Sequence, residues 1–209
     1  MTARGRFITL EGGEGAGKST QLRRLAESLR ARGLDVVATR EPGGSPGAEE
    51  IRRLLVTGGA GRWSPVTEAL LHFAARRDHL ERTVWPALER GAWVLSDRFA
   101  DSTRAYQGYG QGLDGAFIAK LYTLAVGAFR PDLTVILDLP PEAGLARALA
   151  RGAADRYEGM DLEFHRRLRD GFLEIAGREP GRCVVVDAAA SEDAVAGAVF
   201  AAVARLAPP

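Results

Sequence analysis

The sequence predicts an α/β fold, a five-stranded parallel sheet with helices on both faces. Apolar runs rich in Val, Ile and Leu alternate with stretches whose apolar residues recur at helical spacing. The strand candidates are apolar throughout, as in a sheet covered on both sides. The chain has 209 residues, 46% of them hydrophobic, which suits one domain spanning residues 1–209 with a real core.

The elements follow in order. Arg6-Phe7-Ile8-Thr9-Leu10 reads as the first strand. Leu22, Leu25, Ala26 and Leu29 follow at helical spacing, and Gly33 offers a stop. Asp35 to Thr39 is the second strand, and two helical stretches, Pro46 to Val56 and Pro65 to Arg90, come after it. Ala92 to Ser96, Leu133 to Leu139 and Cys183 to Val186 are the remaining strands, and Glu192 to Leu206 is the last helix. In such sheets ligands bind at the carboxyl ends of the strands, so the residues just after each strand carry the functional expectations.

Composition excludes several classes. The net charge of +1 gives no argument for a nucleic-acid partner. No apolar run is long enough to span a bilayer, so no membrane partner is expected. Met1 to Gly5 lead straight into an apolar strand without the pattern of a signal peptide, which makes the cytoplasm the expected location. A single cysteine, Cys183, rules out an intrachain disulfide and reads as a core residue on a strand; with three scattered histidines it makes no zinc site. Only two lysines occur, Lys18 and Lys120, and asparagine is absent.

One of those lysines stands in a motif. Gly12-Gly13-Glu14-Gly15-Ala16-Gly17-Lys18-Ser19 matches G-x-x-x-x-G-K-[ST], with a strand before it and an amphipathic helix after it. In that pattern the backbone N–H groups curl around a phosphate chain, the lysine reaches the β- and γ-phosphates, and the serine hydroxyl ligates magnesium. The following helix aims its positive end at the same place. A magnesium–nucleoside triphosphate is therefore the expected ligand, and the alternative is a Gly-rich turn that binds nothing.

The other strand ends add candidates. Strand three runs into Ser96-Asp97-Arg98-Phe99, where Asp97 suits a magnesium shell and Arg98 a phosphate; alone, the pair also reads as a surface ion pair. Arg40-Glu41-Pro42-Gly43-Gly44 after strand two reads as a loop. On the third helical stretch, His72 with Arg76 and Phe73 with Arg77 are i,i+4 pairs that suit a planar base, or else a core Phe beside solvated arginines. Arg147, Arg151, Asp155, Arg156, Tyr157 and Glu158 look like a basic loop that closes over transferring phosphoryl, or an exposed charged helix end. Tyr106 to Gly112 reads as a glycine-rich, aromatic loop facing substrate. His79 and His165 read as structural or surface residues.

Taken together, the motifs Leu10 to Thr20, Thr39 to Gly44, Asp97-Arg98-Phe99 with Asp101-Ser102-Thr103, Ala105 to Gly108, Arg130 to Thr134 and Asp155 to Glu158 resemble bacterial thymidylate kinases over nearly the whole chain. The resemblance implies a P-loop kinase fold with a short lid at about residues 147–160, and transfer of the γ-phosphoryl of ATP to dTMP. It implies an ATP site formed by Gly12 to Thr20 with Arg147, and Mg²⁺ held by Ser19 and Asp97. It puts Glu14 near the acceptor's sugar, Arg98 and Arg52 on the dTMP phosphate, Arg76 on the thymine edge, and Thr103, Tyr106 and Gln107 around the base.

The resemblance also implies a homodimer. No arginine lies between Gly12 and Gly17, so the chain is similar to the subgroup whose lid supplies the catalytic charge. Arg156 is the first candidate, Arg151 the second and Arg147 beside them, though Leu149 stands where some relatives carry another arginine. The stacking residue of the family falls on His72, with Phe73 next to it; either the imidazole takes that place beside Arg76, which is the preferred reading, or the register shifts to Phe73 and Arg77. A kinase for another monophosphate or a deoxynucleoside is the alternative. A GTP switch would need an asparagine-based guanine reader, which this chain cannot contain, and a non-catalytic sensor has no need of Arg98 and the lid arginines.

Overall fold

The computed structural model describes residues 5–59, 61–150, 152 and 156–206. Among these, β1 (Phe7–Glu11), β2 (Val36–Arg40), β3 (Trp93–Asp97), β4 (Leu133–Asp138) and β5 (Cys183–Asp187) form one sheet in the order β2-β3-β1-β4-β5, every pair parallel. β1 lies at the centre, with Leu10 opposite Asp97 of β3 and Val135 of β4. The loop after β1 therefore opens between two other strand ends.

Alternation along β1 divides the core. Ile8 and Leu10 point into a cluster with Leu22, Leu25 and Leu29 of α1 (Lys18–Arg30) and Val195, Val199 and Val203 of α9 (Glu192–Ala204). Phe7 points the other way, toward Phe73 of α3 (Pro65–His79), Leu88 of α4 (Trp85–Glu89) and Ile118 of α6 (Gly115–Ala125). A third cluster joins Ile136 of β4 to Phe164, Leu168, Phe172 and Ile175 of α8 (Leu162–Arg178). The period-two division of strand side chains gives the sheet its two covered faces.

The strands lie within a residue of their expected places, and α2 (Pro46–Val56) has the expected bounds. The predicted helix from Pro65 to Arg90 needs correction. It is interrupted by wide π-helical turns over Leu80–Val84 before α4. Pro86 has no N–H to give the carbonyl four residues back, and a widened turn accommodates that loss. The expected loop from Tyr106 to Gly112 is also corrected, because Arg104–Gly110 continues the short helix α5 (Ala100–Thr103) as π-helical turns packed against α8. Gly110 permits that contact, since a Cβ there would lie 2.4 Å from Cε2 of Phe164. α6, α7 (Pro141–Leu149) and α8 are helices beyond those the apolar periodicity predicts. Cys183 is buried, as expected of a core residue.

Candidate active site

The phosphate cradle takes the form its sequence predicts. Gly12, Gly15 and Gly17 have φ of 133°, 67° and 88°, in the region that favours glycine. At Gly15 the constraint is doubled, because a Cβ would stand 2.0 Å from the carbonyl oxygen of Gly144 in α7. α1 starts directly from this loop without a side-chain cap, so its first N–H groups remain available to an anion. Lys18 is buried and folds back on the loop, its Nζ donating to the carbonyl oxygens of Gly13 at 2.7 Å and Gly12 at 3.2 Å. Burial and the nearby Arg98 guanidinium lower its pKa to about 8, against the pull of Glu14, Asp97 and Glu11. A phosphate chain in the loop would supply the missing negative charge.

Beside the cradle, the Ser19 hydroxyl donates to Oδ2 of Asp97 at 2.5 Å. A hydroxyl and a carboxylate converging next to the phosphate site form an oxygen set that fits Mg²⁺, which takes few protein ligands and completes its shell with phosphate and water.

Arg98 is the described non-glycine residue with positive φ, 72°. Such a conformation is uncommon and persists only where neighbours impose it. They do so here. The Arg98 N–H bonds Leu10 at 2.9 Å, and Ser96 Oγ donates to the Arg98 carbonyl at 2.7 Å. The buried Glu11 carboxyl accepts from the Phe99 N–H at 2.8 Å and from Ser102 Oγ at 2.6 Å. The turn aims the guanidinium at the cradle, where it donates to Gly12 O at 3.0 Å and to Oε1 of Glu14 at 2.9 Å. Tyr106 donates its hydroxyl to the same Glu14 oxygen.

The two acids of this stretch shift in opposite directions. Burial, reinforced by Asp101, raises Glu11 to about 8. Glu14 is also desolvated, yet Arg98, Lys18 and the Tyr106 hydroxyl outweigh burial and lower it to about 2.

A cleft continues from Glu14 and Arg98 between α3, α2 and the 98–107 turn. Arg52, His72, Arg76, Tyr106 and Gln107 line it together with Glu41, Pro42, Ser102 and Tyr157. Arg52 donates to the Pro42 carbonyl at 2.7 Å. Arg76 is 2% exposed; its Nε donates to Oε2 of Glu41 at 2.8 Å, and its Nη2 donates to Phe99 O and Thr103 Oγ1, both at 3.1 Å. Its Nη1 has no hydrogen-bond partner among the described residues. Arg76 lines the cleft, and a buried guanidinium held on two nitrogens with the third unmet has a donor left for a ligand oxygen. Glu41 is itself held by His79, whose Nδ1 lies 3.0 Å away, and His79 Nε2 meets Thr39 Oγ1 at 2.8 Å.

Three placements differ from expectation. Phe73 is 3% exposed in the core rather than in the cleft, and Arg77 is on the surface pairing with Glu81, so the His72–Arg76 register is the one the helix presents. Thr103 stands behind Arg76 instead of lining the cleft. Arg156, the first candidate for charge on the transferring phosphoryl, is buried and engaged by Glu68 of α3 at 2.5 Å and by the Leu55 carbonyl at 3.0 Å. A guanidinium paired inside the protein is not a mobile charge. Arg151 and Asp155 lie outside the described residues. Arg147 is exposed and donates to Ala188 O at 3.1 Å, beyond the end of β5.

Sequence reasoning missed the supporting residues Glu11, Glu41, His79 and Glu68. Glu11 and Glu41 had a signal, since each sits at or just after the end of its strand. His79 and Glu68 had none, because a buried polar residue on a helix reads like any surface one.

The chain matches the family model "Thymidylate kinase" over residues 10–199. It is 65% identical to the thymidylate kinase of Caulobacter vibrioides, the match covering 93% of this chain and 94% of the relative. It is 56% identical to that of Dinoroseobacter shibae, over 96% and 97% of the two chains. Among solved structures, it is similar to the thymidylate kinase of Ehrlichia chaffeensis, with a TM-score of 0.77 and 37% identity over 95% of this chain and 98% of that one.

Proposed function

The chain belongs to the thymidylate kinase family, and from that premise we propose how its residues divide the work. The reaction is transfer of the γ-phosphoryl of ATP to dTMP, giving dTDP and ADP. Gly12 to Thr20 hold the triphosphate, and Lys18 exchanges its bonds to Gly12 and Gly13 for the β- and γ-phosphates. Ser19 and Asp97 would hold Mg²⁺, which would neutralise charge on the phosphate oxygens. Arg147 of α7, which donates to Ala188 just after β5, lies on the nucleotide side.

On the acceptor side, Arg98 binds the dTMP phosphate and turns it toward the cradle, with Arg52 facing the same region. Glu14, already ionised and fixed by Arg98 and Tyr106, receives the sugar hydroxyl. Thymine lies in the cleft against His72, between Tyr106 and Gln107, with Arg76 donating to a base carbonyl. The observation that carries this reading is Arg76, which lines a cleft that ends at Arg98 and whose buried Nη1 has no partner among the described residues. Since Arg156 is held by Glu68, charge over the transferring phosphoryl falls to Arg151 and Arg147.

No helix among the described residues is long and apolar enough to cross a membrane. We place the enzyme in the cytoplasm, with its nucleotide substrates, as a homodimer. Val66 and Leu70 of α3 are 40% and 48% exposed, and Leu124 of α6 is 80% exposed, on helices that pack together; light scattering tests the dimer. A coupled ADP-release assay with dTMP, dUMP, dCMP, dGMP and no acceptor tests the function. The expected result is fast turnover with dTMP and little without acceptor. Preference for another monophosphate would transfer the reading to that substrate.

A further inference from the structure

Glu68 is fully buried on the first turns of α3 and does not line the cleft. A carboxylate in that position needs strong partners. It has Nη2 of Arg156 at 2.5 Å, Nε2 of Gln111 at 3.0 Å, a longer contact from Nε2 of Gln107 at 3.4 Å, and the Tyr157 hydroxyl. Tyr157 and Gln107 do line the cleft, and so does His72, one helical turn beyond Glu68, with Nε2 3.0 Å from the Tyr157 oxygen.

The directions of these bonds follow from the inventory of protons. A carboxylate paired with Arg156 accepts, so Tyr157 gives it its one proton. The tyrosine oxygen can then only accept from His72, which requires a proton on Nε2. Burial, with Arg76, Arg156, Arg98 and Arg52 around the ring, lowers the His72 pKa to about 3, so the imidazole stays neutral and Nδ1 carries a lone pair.

We propose that Glu68 is a positioning residue for the base site: through Tyr157 it fixes His72 as the Nε2–H tautomer and sets the ring against which the acceptor base lies. This rests on the assignment of the cleft to dTMP. The effect is exerted on acceptor binding, since Tyr157 and His72 line the cleft.

The experiment joins kinetics to ¹⁵N NMR of the imidazoles in wild type, Glu68→Gln, Tyr157→Phe, His72→Phe and the Tyr157/His72 double variant. In the wild type, His72 is expected to show protonated Nε2 and unprotonated Nδ1; a dominant Nδ1–H signal would overturn the proposal. Tyr157→Phe leaves the Arg156–Glu68 pair in place. It is expected to mix the tautomers and to raise KM for dTMP about fivefold, the scale of one hydrogen bond, while KM for ATP stays within about twofold. Glu68→Gln should show the same split, and if it does not fold, Tyr157→Phe carries the test. In the His72→Phe background the Tyr157→Phe penalty should vanish. A penalty that persists there means the hydroxyl acts directly on the ligand, and equal rises in both KM values mean a merely structural role; either overturns the proposal. If wild type fails to phosphorylate dTMP, the assignment of the cleft fails, and the tautomer measurement still decides the hydrogen-bond chain.

Discussion

The phosphate cradle and the base cleft meet at Glu14 and Arg98 and are built by different means. The cradle is a run of consecutive residues, Gly12 to Ser19, whose backbone makes the site; its demands are local, namely glycines at positive φ, one lysine and one hydroxyl. The cleft draws side chains from α2, α3, the loop after β2, the turn after β3 and the segment before α8. Three side chains of the cleft are held by buried groups: Arg76 by Glu41 and Thr103, Glu41 by His79, Tyr157 by Glu68. A backbone site carries its own rigidity, whereas a side-chain site has to borrow it from the surrounding fold.

Four substitutions test that contrast. Lys18→Ala should have the largest effect. The cradle has no second lysine, so turnover should fall about a thousandfold or more, the scale of losing a charge that stabilises phosphoryl transfer, with melting unchanged. Half-normal activity in a folded variant would disprove the cradle's role.

Arg76→Met should act in the opposite way, on the fold as well as on the site. Removing one partner strands the Glu41 carboxylate, which is 4% exposed. Denaturant unfolding should show a loss of about 3–5 kcal/mol. A loss under about 1 kcal/mol would mean that the buried pair is not needed to hold the cleft together.

Arg98→Ala stands between the two regions. Losing a charge-assisted phosphate clamp should cost about 2–3 kcal/mol in kcat/KM for dTMP, with KM raised and kcat lowered. Alanine keeps the Cβ that the positive φ strains, and Glu14 loses its ion pair while keeping Tyr106, so some stability should be lost as well. Unchanged dTMP kinetics would make this arginine structural.

Glu11→Gln is the mildest, and its sign comes from pH. The folded pKa of Glu11, about 8, lies above its ordinary value of 4.5. The stability that Glu11 contributes is therefore fully present below pH 4.5 and is lost as pH rises through 8. A glutamine cannot ionise, so the variant should gain on the wild type between those limits when melts are compared across pH. A constant difference across that range would show that Glu11 is ionised throughout.

What was legible in the sequence follows the same division. Strand positions came from apolar runs, and the cradle from residue spacing, because both are local properties of the chain. Arg98 and Asp97 were found because they follow a strand, where a parallel sheet presents its ligands. In the sequence both His72 and Phe73 fit an i,i+4 pair, and only the family resemblance prefers His72 with Arg76. Packing chose, because Phe73 fills the core beside Phe7 and Leu80 and that rotation turns His72 to the cleft.

The sequence by itself determined the five strands and the first and last helices, the phosphate-binding loop with Lys18 and Ser19, and the arginine after β3. Only the tertiary structure decided that Arg156 is buried on Glu68, that Glu41 and His79 orient Arg76, and that Glu11 and Glu14, three residues apart, shift in opposite directions. Local patterns fix backbone shape and burial period. Which charge faces which, and with how much water between them, depends on segments far apart in the chain being brought together.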